Sequence, residues 1–371
     1  MNLEERLRLA TQKRIDEGTL ASAAILVQKS GEQIANVRCG RADIAVEQPL
    51  AAHTLYRLAS MTKPITATAV MQLVERGLLR LDAPVADYLP SFAHTRVLRA
   101  DGSDVPCKKL ITLRHLLTHS SGLGSGNVFY QRFAPAFASH DGDTLEARVP
   151  SYAECPLEFE PGAGASYSAR MAFDTLALLV QLASGLSFAD YVARYITAPL
   201  GMPDTTCRPT AAQKERTATA YAATEHGLEP VDIQAREGFD GSVFQSGAGS
   251  YFGTAEDYAR FAEMLLLDGK DVLKPASVRQ MRTAQLPPSL PGLRRGENWG
   301  LGMRVVTMNG GDAAPLPEGA FGWSGAYGTH FWVDPSSQLI CVYFANMTTL
   351  DGAAAVTARE AEACVYASER A

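Results

Sequence analysis

Residues 58–64 read Leu58-Ala59-Ser60-Met61-Thr62-Lys63-Pro64, and an apolar-periodic run continues from them as far as Gly77. The pattern predicts a helix that begins at this Ser-x-x-Lys element. Residues three positions apart lie on one helical face about a turn from each other, so the amine of Lys63 can reach the hydroxyl of Ser60. The unpaired N–H groups at a helix N-terminus would also stabilise an oxyanion beside Ser60. The same spacing occurs at ordinary solvated helix starts, so other motifs in the chain must show whether this element is catalytic.

The composition is that of an ordinary globular protein. The chain has 371 residues, of which 46% are hydrophobic and 20% charged, and this length allows one large domain or two intertwined ones. The net charge is -6 and there is no basic stripe, which argues against nucleic acid as a partner. No stretch approaches the roughly 18 consecutive apolar residues of a membrane span.

Two features of the sequence bear on its cellular compartment. Residues 1–7 are charged and amphipathic and contain no apolar h-region, so they do not have the pattern of a secretory signal. The six cysteines stand singly, with no Cys-x-x-Cys pair. In a chain without a signal, this usage predicts reduced cysteines and a cytoplasmic protein.

Strands are predicted near both ends of the chain and helices between them. The polar segment Lys29-Ser30-Gly31-Glu32 has the composition of a hairpin turn, and Thr254 can cap a following helix. Strands at both ends suggest one sheet assembled from both termini, with a helical insertion in the middle. The predicted strands are 21–28, 33–38, 300–307, 320–321 continuing into 328–333, and 338–346. The main predicted helices are 3–17, 60–77, 112–119, 171–184, 188–196, 254–267, 274–282 and 353–367.

Two further motifs carry groups that suit nucleophilic catalysis. Tyr167 follows the turn Pro161-Gly162; a tyrosine beside two cationic groups would have its phenolate favoured, as a general base requires, although a loop-edge tyrosine is the commoner case. Residues 322–326, Gly322-Trp323-Ser324-Gly325-Ala326, are predicted to start a strand. Small residues there let a substrate lie along the strand edge, and a backbone N–H can complete an oxyanion hole. A bulge in a structural strand is the alternative.

In their order along the chain, these motifs resemble the class C β-lactamase-like serine hydrolases. This penicillin-binding-protein-related group includes the family VIII carboxylesterases. The resemblance covers nearly everything from residue 20 to residue 346. It is carried by Ser60-Met61-Thr62-Lys63, Leu116-Leu117-Thr118-His119-Ser120-Ser121-Gly122-Leu123, Pro161-Gly162 before Tyr167-Ser168, Ala198-Pro199-Leu200-Gly201-Met202, Gly249, Ala259-Arg260-Phe261, Trp323-Ser324-Gly325 and residues 328–335.

The resemblance implies an α/β fold of the α+β type. This β-lactamase/transpeptidase-like fold has an antiparallel sheet built from both termini, flanked by helices, and an all-helical insertion. Residues 1–58 and 247–371 would form the sheet domain and residues 59–246 the mainly helical domain, with the active site at their junction. No cofactor is implied.

The resemblance also implies a covalent acyl-enzyme mechanism. Ser60 would be the nucleophile, Lys63 would hold or relay its proton, and Tyr167 would act as base and then as proton donor to the leaving group. Which of Lys63 and Tyr167 takes the first proton stays open. The backbone N–H groups of Ser60 and Ala326 would form the oxyanion hole. The residues implied in substrate binding are Ser168, Trp323, Ser324 and Gly325.

Two departures from the β-lactamase pattern bear on the substrate. Ala169 stands where those enzymes have the Asn of Tyr-x-Asn, and Trp323 stands where they have the Lys of Lys-Thr-Gly. The loss of a cation and an amide favours a neutral small-molecule ester over a charged lactam. The expected activity is therefore that of a carboxylesterase on small or medium acyl esters. The alternatives are a β-lactamase, a D-aminopeptidase or DD-peptidase, an acyltransferase, and a non-enzymatic sensor domain.

Other polar and aromatic residues give weaker signals. His115 and His119 have a spacing that a metal site can use, but no Glu lies between them, so they are interpreted as structural hydrogen-bonding residues and no metal is predicted. The sequence does not decide whether several other residues touch substrate or pack in the core. These are Asn127, Phe129, Tyr130, Phe133, Phe244, Tyr251, Phe252 and His330.

Overall fold

The computed structural model describes residues 1–124, 144–233, 243–312, 314–348 and 355–369, so Asn127, Phe129, Tyr130 and Phe133 lie outside the described residues. The described strands are β1 (Ser22–Lys29), β2 (Glu32–Asp43), β3 (Gln48–Pro49), β4 (Tyr56–Arg57), β5 (Arg96–Leu98), β6 (Asp104–Pro106), β7 (Tyr221–Thr224), β8 (Gly227–Pro230), β9 (Phe252–Gly253), β10 (Glu297–Trp299), β11 (Arg304–Val306), β12 (Phe321–Ser324), β13 (His330–Asp334) and β14 (Leu339–Phe344). The described helices are α1 (Leu3–Asp16), α2 (Thr62–Glu75), α3 (Leu113–Leu117), α4 (Leu145–Tyr152), α5 (Met171–Ser184), α6 (Phe188–Val192), α7 (Ala211–Glu215), α8 (Ala255–Leu266), α9 (Pro275–Met281) and α10 (Val356–Glu369).

One large sheet organises the molecule. Its strands run in the order β10-β11-β12-β13-β14-β1-β2-β3, and every neighbouring pair is antiparallel. The N-terminal strand β1 lies between β2 and the C-terminal strand β14. The predicted antiparallel sheet built from both termini is therefore confirmed.

Helices cover both faces of this sheet. Helices α1 and α10 pack on one face, over a core that includes Leu7, Ile25, Trp332 and Val365. Helix α8 packs on the other face against β1, β13 and β14. The core on that side continues without a break into the helical region around α2 and α5. The division of the chain into residues 1–58 with 247–371 and residues 59–246 stays a prediction.

Helix α2 lies at the centre of the helical region. All residues from Thr62 to Leu73 are buried, which explains why this segment carries Thr and Ala on the side that a surface helix would expose to solvent. Met61 and Thr62 are tied to neighbouring elements, because the Tyr258 hydroxyl donates to the Met61 carbonyl and the Tyr251 N–H to the Thr62 hydroxyl. The Ser-x-x-Lys element therefore begins a buried and firmly packed helix.

The predicted strand over 300–307 is wrong in its first half. Residues 300–303 connect β10 to β11 instead. Gly302 has a φ of 83° there, and a Cβ at this residue would lie 2.4 Å from the Cβ of Ala67. Only glycine combines this backbone conformation with so close an approach to α2.

The motif Trp323-Ser324-Gly325 lies at the end of a strand and not at its start. Strand β12 ends at Ser324, and the Gly325 N–H donates to the Thr329 carbonyl across a tight turn into β13. The sequence suggested one strand interrupted by small residues. The structure shows a hairpin whose turn contains them.

No single helix in the described ranges is long and apolar enough to cross a membrane. The bent pair Met171–Ser184 and Phe188–Thr197 meets the length and composition requirement only when its two parts are joined. Residues Met171 to Val180 of that pair are buried inside the fold.

Candidate active site

Ser60 lies on a short 3-10 turn, Ala59–Met61, that leads directly into α2. Its Oγ accepts a hydrogen bond from the Tyr167 hydroxyl at 2.7 Å and lies 3.0 Å from the Lys63 Nζ. Ala59 has a φ of 45°, so the turn holds a non-glycine residue in the left-handed region directly before the serine. The structure thus brings the three predicted catalytic side chains into hydrogen-bonding contact.

Lys63 is fully buried and has three hydrogen-bond partners. Besides Ser60 Oγ, its Nζ contacts the carbonyl oxygen of Ala169 at 2.8 Å and that of Ala248 at 3.0 Å. An ammonium group would donate one proton to each of the three oxygens. A neutral amine would donate to the two carbonyls and accept the Ser60 proton with its lone pair. The geometry therefore suits Lys63 both as a cation and as a base.

Asp174 supports the segment that carries the Ala248 carbonyl, a role that the sequence reasoning missed. Its buried carboxylate accepts from the Ser246 hydroxyl at 2.5 Å, the Ala248 N–H at 3.3 Å and the Tyr152 hydroxyl at 3.2 Å. Burial raises the pKa of this carboxyl above its usual range, while the Ser246 hydrogen bond opposes the rise. The sequence signal for this role was an Asp within the otherwise apolar segment of α5. A buried carboxylate needs hydrogen-bond partners, so such an Asp indicates a polar contact in the core.

The Tyr167 ring is fixed by aromatic neighbours. It lies parallel to Trp299, with centroids 6.1 Å apart, and its centroid is 5.1 Å from that of Trp323 and 4.7 Å from that of His119. The Lys63 Nζ lies over the Tyr167 ring, 5.0 Å from its centroid. Aromatic packing therefore orients the phenol toward Ser60.

His119 packs beneath Tyr167 and is 1% exposed. Its Nδ1 accepts the Ser168 N–H at 3.0 Å, which makes Nε2 the protonated nitrogen of the neutral ring. Burial, assisted by the nearby Lys63 charge, holds the pKa of His119 well below its usual range. His115 instead accepts the Thr112 N–H, so the two histidines have separate hydrogen-bond partners.

The predicted substrate contact of Ser168 is not observed. Its side chain is fully buried, and its Oγ accepts the Ala172 N–H at the first turn of α5. The adjacent Tyr167 reaches the cleft, whereas the side chain of Ser168 lies in the interior. Tyr251, Phe244 and His330 are also buried, at 2%, 3% and 0% exposure.

An open cleft of about 320 Å³ lies in front of Ser60. Six residues that the sequence singled out line it together, namely Ser60, Tyr167, Trp323, Ser324, Gly325 and Ala326. The residues that the sequence reasoning missed are Ala165, Gly292, Leu293, Arg294, Glu297, Asn298, Trp299 and Arg304. The indoles of Trp299 and Trp323 meet edge to face, with centroids 4.7 Å apart, and make the wall near Tyr167 largely apolar.

The end of β12 is held against the turn that bears Ser60. The Thr329 hydroxyl donates to the Leu58 carbonyl at 3.2 Å, which ties the β12–β13 hairpin to the residue that precedes this turn. Ser60 and Ala326 both line the cleft.

A family model described as Beta-lactamase matches residues 7–364. The chain belongs to the Beta-lactamase family. This family match agrees with the large antiparallel sheet and its flanking helices. Serine hydrolase chemistry, expected from the sequence, is confirmed at the level of the family.

Several known proteins resemble the chain over most of its length. Esterase EstB of Burkholderia gladioli is 32% identical over 378 residues, which cover 93% of this chain and 91% of that protein. Acyltransferase calJ of Penicillium decumbens is 32% identical over 338 residues, covering 83% and 79%. The solved structure of EstCE1, described as a hydrolase with promiscuous acyltransferase activity, superposes with a TM-score of 0.84 at 26% identity and covers 98% of both chains.

Proposed function

We propose that this chain is a family VIII type carboxylesterase that forms an acyl-enzyme at Ser60. The observation that carries the proposal is the placement of Ser60 Oγ. It lies 2.7 Å from the Tyr167 hydroxyl and 3.0 Å from the Lys63 amine, at a cleft with apolar aromatic walls. A serine hydroxyl becomes a good nucleophile when an adjacent base takes its proton, and two groups here are within reach of that proton.

In the proposed acylation step, Ser60 Oγ attacks the ester carbonyl carbon while the Tyr167–Lys63 pair takes the serine proton. The carbonyl oxygen becomes an oxyanion, which the N–H groups of Ser60 and Ala326 would stabilise by about 3 kcal/mol per donor. When the tetrahedral intermediate collapses, the bond to the alcohol oxygen breaks and Tyr167 returns the proton to that oxygen. Water then repeats the sequence on the acyl-Ser60 ester and releases the acid.

The cleft favours a neutral acyl ester. Trp323 and Trp299 present apolar rings where a substrate would lie, and Trp323 replaces the lysine of the β-lactamase motif. The guanidinium of Arg304 lies 3.3 Å from the Glu297 carboxylate, which balances its charge, and the remaining cation of the cleft lining, Arg294, is exposed to solvent. The identity to Esterase EstB supports the same substrate class.

The test is a parallel assay of p-nitrophenyl esters of increasing chain length, nitrocefin and D-amino-acid p-nitroanilides. We expect hydrolysis of the esters and little turnover of the other two classes. Ser60→Ala should abolish ester hydrolysis and fluorophosphonate labelling while the protein stays folded, whereas Ser166→Ala, which removes a hydroxyl from the same loop as Tyr167, should retain both. Full activity of Ser60→Ala would contradict the mechanism, and turnover of nitrocefin alone would indicate a β-lactamase.

Acyl transfer to an alcohol is the second candidate. It is favoured by the identity to Acyltransferase calJ and by the description of EstCE1. Chemically, an alcohol would take the place of water in the deacylation step. Addition of alcohol acceptors to an ester assay, followed by product analysis, would show a new ester if transfer competes with hydrolysis.

We also propose that the protein works in the cytoplasm. All six cysteines are unpaired in the structure, as suits a reducing compartment. Cell fractionation of the native host, with detection of the ester-hydrolysing activity, tests this assignment.

A further inference from the structure

Ser324 is the first member of a buried hydrogen-bond chain that leads away from the cleft. Its Oγ lies 2.8 Å from His330 Nδ1, and His330 Nε2 lies 3.0 Å from a carboxylate oxygen of Glu362. The hairpin register dictates the first contact, because Ser324 of β12 pairs directly with His330 of β13. Glu362 comes from α10, which packs on that face of the sheet.

The partners of Glu362 determine which nitrogen of His330 carries the proton. Arg359 donates to one carboxylate oxygen of Glu362 at 2.9 Å, and the other oxygen faces His330 Nε2. A carboxylate can only accept, so Nε2 carries the proton of the ring. In the neutral ring, Nδ1 then has a lone pair and accepts the Ser324 hydroxyl proton.

The surroundings keep this ring neutral. His330 and Glu362 are both 0% exposed, and burial lowers the pKa of His330 below its usual range against the opposing effect of Glu362. The charges of Arg304 and Arg359 act in the same direction as burial. Trp332 stacks on the imidazole with centroids 5.4 Å apart and fixes the plane of the ring.

We propose that the chain Glu362–His330–Ser324 fixes the Ser324 hydroxyl as a hydrogen-bond acceptor in the cleft, where it selects esters that carry a donor group such as a hydroxyl. The Ser324 hydroxyl donates its proton in a hydrogen bond to His330 Nδ1. Only the lone pairs of Ser324 Oγ therefore face the cleft, which Ser60 and Tyr167 also line. A substrate hydroxyl can donate to these lone pairs, whereas a substrate carboxylate has no proton to donate and gains no hydrogen bond from Ser324. This specificity rests on the proposed esterase function. His330 and Glu362 act through Ser324 and are positioning residues.

Glu362→Gln is the discriminating variant. With Arg359 on the amide oxygen, the amide N–H group faces His330 Nε2 and turns it into an acceptor. The proton then moves to Nδ1, His330 donates to Ser324, and the Ser324 hydroxyl can donate into the cleft. The matched control is Glu360→Gln on the same helix, since Glu360 pairs with Arg14 and not with His330. Ser324→Ala removes the acceptor altogether.

The kinetic test compares p-nitrophenyl butyrate with its 2-hydroxy and 3-hydroxy derivatives and with mono-p-nitrophenyl succinate. In the wild type we expect kcat/KM for at least one hydroxy ester to exceed that for butyrate about fivefold, the size of one net hydrogen bond. This ratio should fall to near one in Ser324→Ala, and the succinate-to-butyrate ratio should rise in Glu362→Gln, where the Ser324 hydroxyl can donate to a substrate carboxylate. Unchanged ratios in both variants would overturn the proposal.

Nitrogen-15 NMR of histidine-labelled protein shows which ring nitrogen of His330 carries the proton, and this measurement does not depend on enzyme activity. The spectrum of His330→Gln identifies the His330 signals. We expect protonated Nε2 in the wild type and in Glu360→Gln, and protonated Nδ1 in Glu362→Gln. A wild-type proton on Nδ1 would overturn the proposal even if Glu362→Gln does not fold. An absence of ester hydrolysis in the wild type would instead count against the esterase function, so the two failures are distinguishable.

Discussion

Gly325 approaches Leu58 so closely that a Cβ at residue 325 would lie 2.3 Å from the Leu58 carbonyl oxygen and 2.1 Å from the Thr329 hydroxyl. This contact sets the distance between the end of β12 and the turn that carries Ser60. We expect Gly325→Ala to push the two apart and to lower kcat by about 10²- to 10³-fold, the loss found when one oxyanion donor is removed.

Gly249→Ala is the matched control for this contact. Its Cβ would meet the same turn, at Ala59, at an ordinary distance of 3.7 Å. The measurement is kcat for a p-nitrophenyl ester together with thermal unfolding. Equal activity of the two variants would show that the approach of Gly325 does not matter for catalysis.

Tyr167→Phe should lower kcat by about 10²- to 10⁴-fold, the usual contribution of a positioned acid–base group. The ring contacts with Trp299 and Trp323 persist in this variant and only the hydroxyl that faces Ser60 is lost, so the melting temperature should change little. Tyr195→Phe removes a hydroxyl from a ring that packs on Tyr191, outside the cleft lining, and should keep its activity. Wild-type kcat in Tyr167→Phe would exclude the proposed base.

Asp174→Asn should reduce both stability and turnover. The amide cannot accept from all three donors that the carboxylate satisfies, so we expect a loss of about 2 kcal/mol in the free energy of unfolding. Because Asp174 holds the segment that carries the Ala248 carbonyl, kcat should fall while KM stays close to the wild-type value. Urea unfolding and steady-state kinetics measure the two effects. The exposed Asp190→Asn serves as control, and a change in KM alone would argue against a role through Lys63.

His119→Asn should reduce the pH dependence of stability. The pKa of His119 is lowered in the folded state, so below about pH 6.5 the unfolded chain takes up a proton that the folded chain does not. The free energy of unfolding therefore falls as pH drops through that value, by up to about 1.4 kcal/mol per pH unit for one such group.

Asparagine suits this position because it tolerates the φ of 54° and can accept the Ser168 N–H with its side-chain oxygen. Two other histidines, His115 and His330, also have lowered pKa values, so the slope should decrease without vanishing. Urea unfolding from pH 5 to pH 7 measures it, with the exposed His226→Asn as control. An unchanged slope in His119→Asn would mean that His119 is not held neutral.

Trp323→Lys should shift the balance between lactam and ester. It restores a cation at the position where the β-lactamase motif has one, and a charge-assisted hydrogen bond to a substrate carboxylate is worth roughly tenfold or more in binding. We expect nitrocefin acylation to rise relative to ester hydrolysis. Trp323→Leu controls for the loss of the indole, and an equal ratio in the two variants would show that the charge is irrelevant.

Features that depend on a single local segment could be predicted from the sequence. The spacing of Ser60 and Lys63 placed both on one face of a helix start, and Thr254 caps α8 through the Asp257 N–H as its Thr-x-x-Asp pattern predicts. Helix Met171–Ser184 has the bounds that its apolar run and flanking glycine indicate. Local chemistry decides such features, so they can be read from the sequence without knowledge of the fold.

The remaining features depend on contacts between distant segments. Ala248 supplies a carbonyl to Lys63, and Glu362 reaches His330 from a helix near the end of the chain. Nothing in the neighbouring sequence marks either of them. Ser168 shows the opposite error, because it adjoins Tyr167 and yet its side chain is directed into the interior.

The pairing of β1 with β14 has a consequence for the newly made chain. The N-terminal hairpin leaves the ribosome early, but its second neighbour is among the last segments to be synthesised. Ser60 and Lys63 emerge long before the wall that Trp323 provides. Since such distant pairings form slowly, the nascent polypeptide carries Ser60 without this wall. Under the proposed function, ester hydrolysis can therefore start only after translation has delivered the last strands of the sheet.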